Sequence, residues 1–171
     1  QAVSLYTTSY PNYQLVTYAA KELVETNTDN GDGTYTYTVP IHEGFEWSNG
    51  DPITANDWAF TFNTVKDLGL VGNWLSAWPL GDDESQGVVS VVAVDDYTVA
   101  ITLNYDAGLS GWQYGAASAS ALSESYWSQY ATDRETLLAA SGADAPVASA
   151  FVYDKIEQGA FYTWTYDPDT M

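Results

Sequence analysis

The sequence contains no cysteine. Disulfides, zinc–thiolate sites, iron–sulfur clusters and cysteine nucleophiles are therefore excluded. Positive charge is nearly as scarce. Four Lys and Arg residues stand against 23 Asp and Glu, a formal net charge of -19. Phosphates are neutralised by clusters of Lys and Arg, so nucleic acid is excluded as a direct partner. Docking on anionic lipid is excluded for the same reason. His42 is the only histidine, so no multi-histidine metal site can form. No apolar run reaches the roughly 18 residues of a membrane-spanning helix. Residues 1–18 show no basic stretch leading into an apolar one, so no signal peptide is expected there.

What is present points to a folded domain. Hydrophobic residues make up 46% of the 171 positions and aromatics 15%, which a disordered acidic tail would not have. The length suits one domain. The low Lys and high Asp content fits a high-salt proteome, where excess acidic charge keeps proteins soluble. It fits an acidic surface protein from another setting as well.

Local patterns read as a mixture of strands and short helices. Residues 1–18 are rich in Tyr, Thr and Ser and read as irregular or short-strand structure. Residues 18–25 (YAAKELVE) have helical composition over a short length. The run 27–33 (NTDNGDG) is a dense turn signal, followed by 34–39 (TYTYTV), a half-buried strand with Tyr35, Tyr37 and Val39 on one face. A calcium loop would need oxygen ligands at alternate positions and a closing Glu. Gly31 falls where a ligand should be and no Glu closes the loop, so a plain hairpin turn is expected.

A second turn at 48–52 (SNGDP) precedes a helix that Thr54 caps, with Asp57 completing a capping box. Trp58, Phe62 and Val65 share one face of this helix, which should end near Asp67, Leu68 and Gly69. Residues 71–79 are aperiodic and 81–85 form an acidic loop. The segments 88–94 and 97–103 read as a hairpin across Asp95 and Asp96, with Val99, Ile101 and Leu103 on one face. Two short helices are expected at 123–130 and 132–140, the second with a Thr132–Glu135 capping box and Gly142 as its stop. Strands are expected at 150–156 and 161–166. With no regular strand–helix–strand rhythm, the class is α+β, with a mixed, mostly antiparallel sheet.

Positive signs of catalysis are missing from the residues. His42 has no nucleophile elbow to serve and reads as a surface histidine between a strand and a turn. The carboxylate pairs, such as Asp82–Asp83 and Asp95–Asp96, read as solvated turns. Phosphate-binding glycine loops, H-E-x-x-H and a dinucleotide fingerprint are all lacking. No catalytic residue, metal or cofactor is assigned. Trp74, Trp78 and Trp112 lie outside clear elements. Such residues form either a stacking platform or core under loops, and for each one the core is the favoured reading.

A family resemblance arises from ordered segments. The run LVE at 23–25, NGDG at 30–33, TYTYTV at 34–39 and GFEWSNGDPITANDW at 44–58 resembles the signature region of the extracytoplasmic solute-binding proteins, family 5, of peptide ABC transporters. VDDYTVAITL at 94–103 resembles that family's hairpin, and 159–169, ending YDPD, resembles its following strand. The resemblance covers residues 19–171 and leaves 1–18 unplaced. It implies a partial lobe of a class II periplasmic-binding-protein-like fold, excised from a two-lobed protein several times longer. The implied function is capture of peptides or similar small solutes outside the membrane for an ABC permease, without chemistry. The implied setting is a cell-surface lipoprotein or a periplasmic protein, monomeric, held at the membrane by the full-length protein's anchor.

Two positions depart from the family pattern. Ala148, Ser149, Ala150 and Phe151 stand where the family carries Gly-Thr-Gly-Pro-Tyr beside its ligand cleft, and Cβ atoms there hinder close backbone approach to a ligand. Residues 40–44 (PIHEG) lack the family's basic residue. By position in the resemblance, Trp74, Trp78 and Phe151 are the candidate ligand-proximal residues. The partners implied are the solute, the permease and the second lobe. An acidic, aromatic-rich carbohydrate-binding module is the alternative. The helices expected at 54–66 and 123–140 discriminate, since a β-sandwich would have turns there.

Overall fold

A computed structural model describes residues 3–70, 80–81, 85–148, 151–157 and 161–166. Chain order runs β1 (Val3–Ser4), β2 (Tyr6–Thr8), β3 (Leu15–Thr17), β4 (Thr28–Asp29), β5 (Tyr35–Pro40), α1 (Ala55–Asp67), β6 (Val88–Asp95) and β7 (Thr98–Leu103). It continues through α2 (Gly108–Gln113), a short 3-10 turn at Ala116–Ser118, β8 (Ser120–Ala121), α3 (Glu124–Trp127), α4 (Arg134–Ala139), β9 (Phe151–Glu157) and β10 (Phe161–Tyr166). The class is α+β, as the patterns predict.

The largest sheet has the order β4-β5-β7-β6, antiparallel throughout. Alternation fixes its two faces. Tyr37 and Val39 on β5, and Val99, Ile101 and Leu103 on β7, are all buried. Opposite them, Thr36 Oγ1 meets Thr102 Oγ1 at 2.9 Å on the more polar face. The turn into β5 is the plain hairpin turn expected. Asp29 Oδ1 accepts the Gly31 N–H at 2.8 Å, Asp32 Oδ1 accepts the Thr34 N–H at 3.0 Å, and Gly31 and Gly33 take positive φ. Those carboxylates satisfy their own turn backbone.

Helix α1 lies on β6 and β7. Its apolar stripe, Trp58, Phe62 and Val65, is buried as the spacing requires. Asp57 reaches back to the Thr54 N–H at 2.9 Å, completing the capping box. The helix closes at Leu68, and Gly69 follows at φ +58. Trp112 belongs to the core. Its ring stacks on Tyr37 at 3.9 Å, Tyr6 meets it edge-on at 6.3 Å, and its Nε1 donates to the Val24 carbonyl at 2.7 Å.

Two local expectations need correction. Residues 18–25 are not helical despite their composition. Their backbone is consumed by neighbours: Tyr18 and Ala20 N–H donate to the Leu5 carbonyl, Lys21 N–H to Pro40, and Val24 N–H to the Tyr6 hydroxyl. Eight residues are too few for propensity to outweigh such pairings. The cap of α4 is Asp133, not Thr132. Its carboxylate accepts the Thr136 N–H at 2.8 Å and the Thr136 hydroxyl at 2.7 Å. Gly142 lies beyond the helix end at φ +60, packed against the Trp127 ring.

Strands β9 and β10 fall where strands are expected, at 150–156 and 161–166, and pair antiparallel. The short strands β1 to β3 account for the irregular N-terminal reading. β2 pairs with β3, while β1 pairs with β8.

Candidate functional site

The turn between β5 and α1 builds one wall of a groove. Gly44 and Gly50 take φ near +86 and +85, a left-handed backbone that any side chain would strain. Between them the chain closes tightly. Trp47 N–H donates to Asp51 at 2.8 Å, Gly50 N–H to Trp47 at 2.8 Å, and Ile53 N–H to Phe45 at 2.8 Å. This folding buries Trp47 and leaves Phe45 and Glu46 on the surface.

Asp57 holds that wall from behind. Its Oδ2 accepts the Trp47 indole N–H at 3.3 Å as well as the Thr54 N–H, and its Oδ1 accepts the Glu124 N–H at 2.8 Å. Burial pushes the Asp57 carboxyl above the ordinary value of 3.8, against the opposing pull of those three donors. Thr61 extends the tie. Its hydroxyl donates to the Asp57 carbonyl at 2.6 Å and accepts the Leu122 N–H at 2.9 Å. One carboxylate thus joins the groove wall, the start of α1 and the start of α3. The capping box makes Asp57 legible as a helix cap, but only the tertiary structure shows the other two donors.

The second wall is the segment at Val147 and Ala148. It is clamped on both sides. Ser48 N–H donates to the Val147 carbonyl at 2.9 Å, Val147 N–H donates to Ser48 Oγ at 3.0 Å, and the Tyr18 hydroxyl donates to the Ala148 carbonyl at 2.9 Å. Burial raises the Tyr18 phenol above its usual value, which keeps it a neutral donor. Between the walls lies an open groove of about 620 Å³, floored by Val3, Trp47 and Ile53. Its rim carries Phe45, which is 38% exposed, and Glu46.

Of the residues expected near a ligand, Trp74 and Trp78 lie outside the described residues. Phe151 opens β9, three positions after Ala148 at the groove wall. Its side chain lies outside the description. Tyr18, Phe45, Glu46 and Trp47 were not among the expected site residues. Their signal was the aromatic and acidic run at 45–47 between two glycines, which served the resemblance without being read as a surface. Among the described residues no group of three or more His, Asp or Glu side chains is placed to hold a metal ion. No described helix is long and apolar enough to cross a membrane.

The groove lies between the β5–α1 turn and the Val147–Ala148 segment, with β1 and the capped start of α1 beside it. Comparison with known proteins identifies the family. Residues 18–169 match the profile described as bacterial extracellular solute-binding proteins, family 5 Middle, and the chain belongs to that family. A probable ABC transporter-binding protein of Deinococcus radiodurans is 34% identical over 68 residues, 39% of this chain and 10% of that protein. The oligopeptide-binding protein AppA of Bacillus subtilis, solved with a nonapeptide, superposes with a TM-score of 0.68 at 16% identity. It is covered to 31% of its length by 99% of this chain. NikZ of Campylobacter jejuni, solved with Ni(L-His), gives 0.70 at 17% identity, with 96% of this chain and 29% of that one covered. The chain thus spans about a third or less of the length of these relatives. A carbohydrate-binding sandwich finds no support, because α1, α3 and α4 stand where such a module needs turns.

Proposed function

We propose that this chain forms part of the first lobe of a two-lobed extracytoplasmic binder, which captures peptides or similar small solutes and hands them to an ABC permease. The observation that carries the reading is the family match over residues 18–169, joined to a groove whose wall is the Val147–Ala148 segment. That segment leads directly into the positions where the resemblance puts the ligand cleft. In this reading the protein binds without catalysis. Closure of two lobes over an extended peptide supplies affinity through main-chain hydrogen bonds, and side-chain pockets supply selectivity. Trp74, Trp78 and Phe151 contribute the cleft-facing aromatics from this lobe. The intact protein is a monomer held outside the membrane, as a lipoprotein or in the periplasm.

A single lobe cannot enclose its ligand, so the 171-residue chain by itself should bind peptides far more weakly than the intact protein. Calorimetry with a mixed tri- to pentapeptide pool tests both statements. The intact protein should show saturable binding, and the 171-residue chain should show little heat under the same conditions. Micromolar binding to the chain alone would overturn the one-lobe reading. A failure of the intact protein to bind any peptide would overturn the peptide reading.

A further inference from the structure

Most polar groups in the groove wall are engaged within the fold. The Tyr18 hydroxyl serves the Ala148 carbonyl, Ser48 Oγ serves the Val147 N–H, and the Trp47 indole serves Asp57. Among the described residues Glu46 is the only charged side chain that lines the groove. Among the described residues its carboxylate makes no hydrogen bond or ion pair. The neighbouring Glu43, in contrast, is paired with Lys21 at 3.4 Å. The chain has only four Lys and Arg residues, and the three whose side chains are described, Lys21, Lys66 and Arg134, do not line this groove.

The surface left to a ligand is therefore aromatic, with one unpaired negative charge at its rim. A long side chain with an apolar stem and a cationic head complements both features. The stem packs on the groove-lining Phe45, whose ring also meets His42 at 5.4 Å, and on Tyr18, while the head pairs with the carboxylate. An acidic side chain would meet uncompensated repulsion from Glu46, within a chain of net charge -19.

We propose that this groove is a side-chain subsite selecting a lysine or arginine residue of a captured peptide, through Glu46 and the aromatic wall of Phe45 and Tyr18. The inference rests on the peptide-capture reading above and adds to it a preference of charge at one position.

The test uses the intact protein and alanine pentapeptides carrying one Lys, Arg, norleucine or Glu at each position in turn. At one position Lys and Arg should bind about five- to tenfold tighter than norleucine, the scale of a rim ion pair with a cation–π contribution. Glu should bind worst there. Glu46→Gln should shrink the gap between Lys and norleucine to within about twofold, and a circular-dichroism melt matching the parent's shows that the variant is folded. Phe45→Ala should weaken Lys and norleucine together. Equal binding of Lys and norleucine at every position, or a gap that survives Glu46→Gln, would overturn the proposal while leaving peptide capture intact. Absence of binding by every pentapeptide would overturn peptide capture itself, and this subsite with it.

Discussion

Replacing Asp57 by Asn tests how the groove wall is held. The carboxylate accepts three donors: Thr54 N–H and Trp47 Nε1–H on Oδ2, and Glu124 N–H on Oδ1. An amide keeps the size but offers one acceptor oxygen. If that oxygen takes the Oδ2 place, the amide NH₂ faces the Glu124 N–H, and one donor is lost. The opposite orientation loses two. The first is cheaper, and a buried donor left without a partner costs about 1–3 kcal/mol. Asn gains something back because it carries no charge to desolvate, the cost that raises the Asp57 pKa. The net expectation for Asp57→Asn is a loss of about 1–2 kcal/mol at pH 7. Asp57→Ala removes all three acceptor contacts and should lose about 3 kcal/mol or more. Urea unfolding followed by tryptophan fluorescence measures both, read from midpoints at a common m-value. Amide exchange should quicken at Thr54 and Glu124 in particular. An Asn variant within about 0.5 kcal/mol of the parent, with unchanged exchange at those two amides, would refute the idea that this carboxylate joins the three elements.

Three further outcomes follow from the charges and the backbone. Asp57 has a folded pKa above its unfolded value near 3.8, so its contribution to stability is complete below that value and is lost as pH rises through the folded one. Hydrogen bonds from Thr34, from Ser125 and Asn49, and from Thr136 lower Asp32, Asp51 and Asp133. Their stabilisation is present above about 3.8 and is lost as pH falls through the lowered values. Stability should therefore rise as pH falls through the raised Asp57 value and fall once pH drops below 3.8. A chemical-denaturation series in pH checks this, and a steady decline from pH 7 downward would contradict it. With a net charge of -19 and one Lys–Glu ion pair among the described residues, salt should raise the melting temperature. The rise should continue as the screening length falls from about 30 Å at 0.01 M to about 3 Å at 1 M, and a flat response would count against it. Gly142→Ala should destabilise by about 1–2 kcal/mol in a thermal melt, from a left-handed φ and a Cβ meeting the Trp127 ring at 3.0 Å. Gly31→Ala, where nothing lies within 4 Å, should cost less because only the φ penalty applies.

Elements with a strong period or explicit punctuation were legible from residues alone. The hairpin at Val88–Asp95 and Thr98–Leu103 is one, since β-branched alternation leaves a single way to bury one face. Helix α1 is another, because Thr54, Asp57 and the Trp58–Phe62–Val65 stripe specify its start and its buried face together. Composition failed at 18–25, where good helix formers sit in a segment whose backbone pairs with strands far along the chain. It also misplaced the α4 cap by one residue, because two adjacent side chains compete for the same N–H groups and the carboxylate won.

The sequence alone determined the absence of thiol chemistry, the acidic surface, the α+β class and the family, since these depend on composition and on motifs that are contiguous in the chain. Tertiary structure decided what stands next to what. Trp47 is a groove floor held by a buried carboxylate, Glu46 at the rim has no partner among the described residues, and Trp112 stacks on Tyr37 in the core instead of forming a surface platform. Each of those outcomes needs partners separated by many residues. Burial and hydrogen bonding at such distances depend on how the sheet, the turn and the helices pack, and no local pattern encodes that.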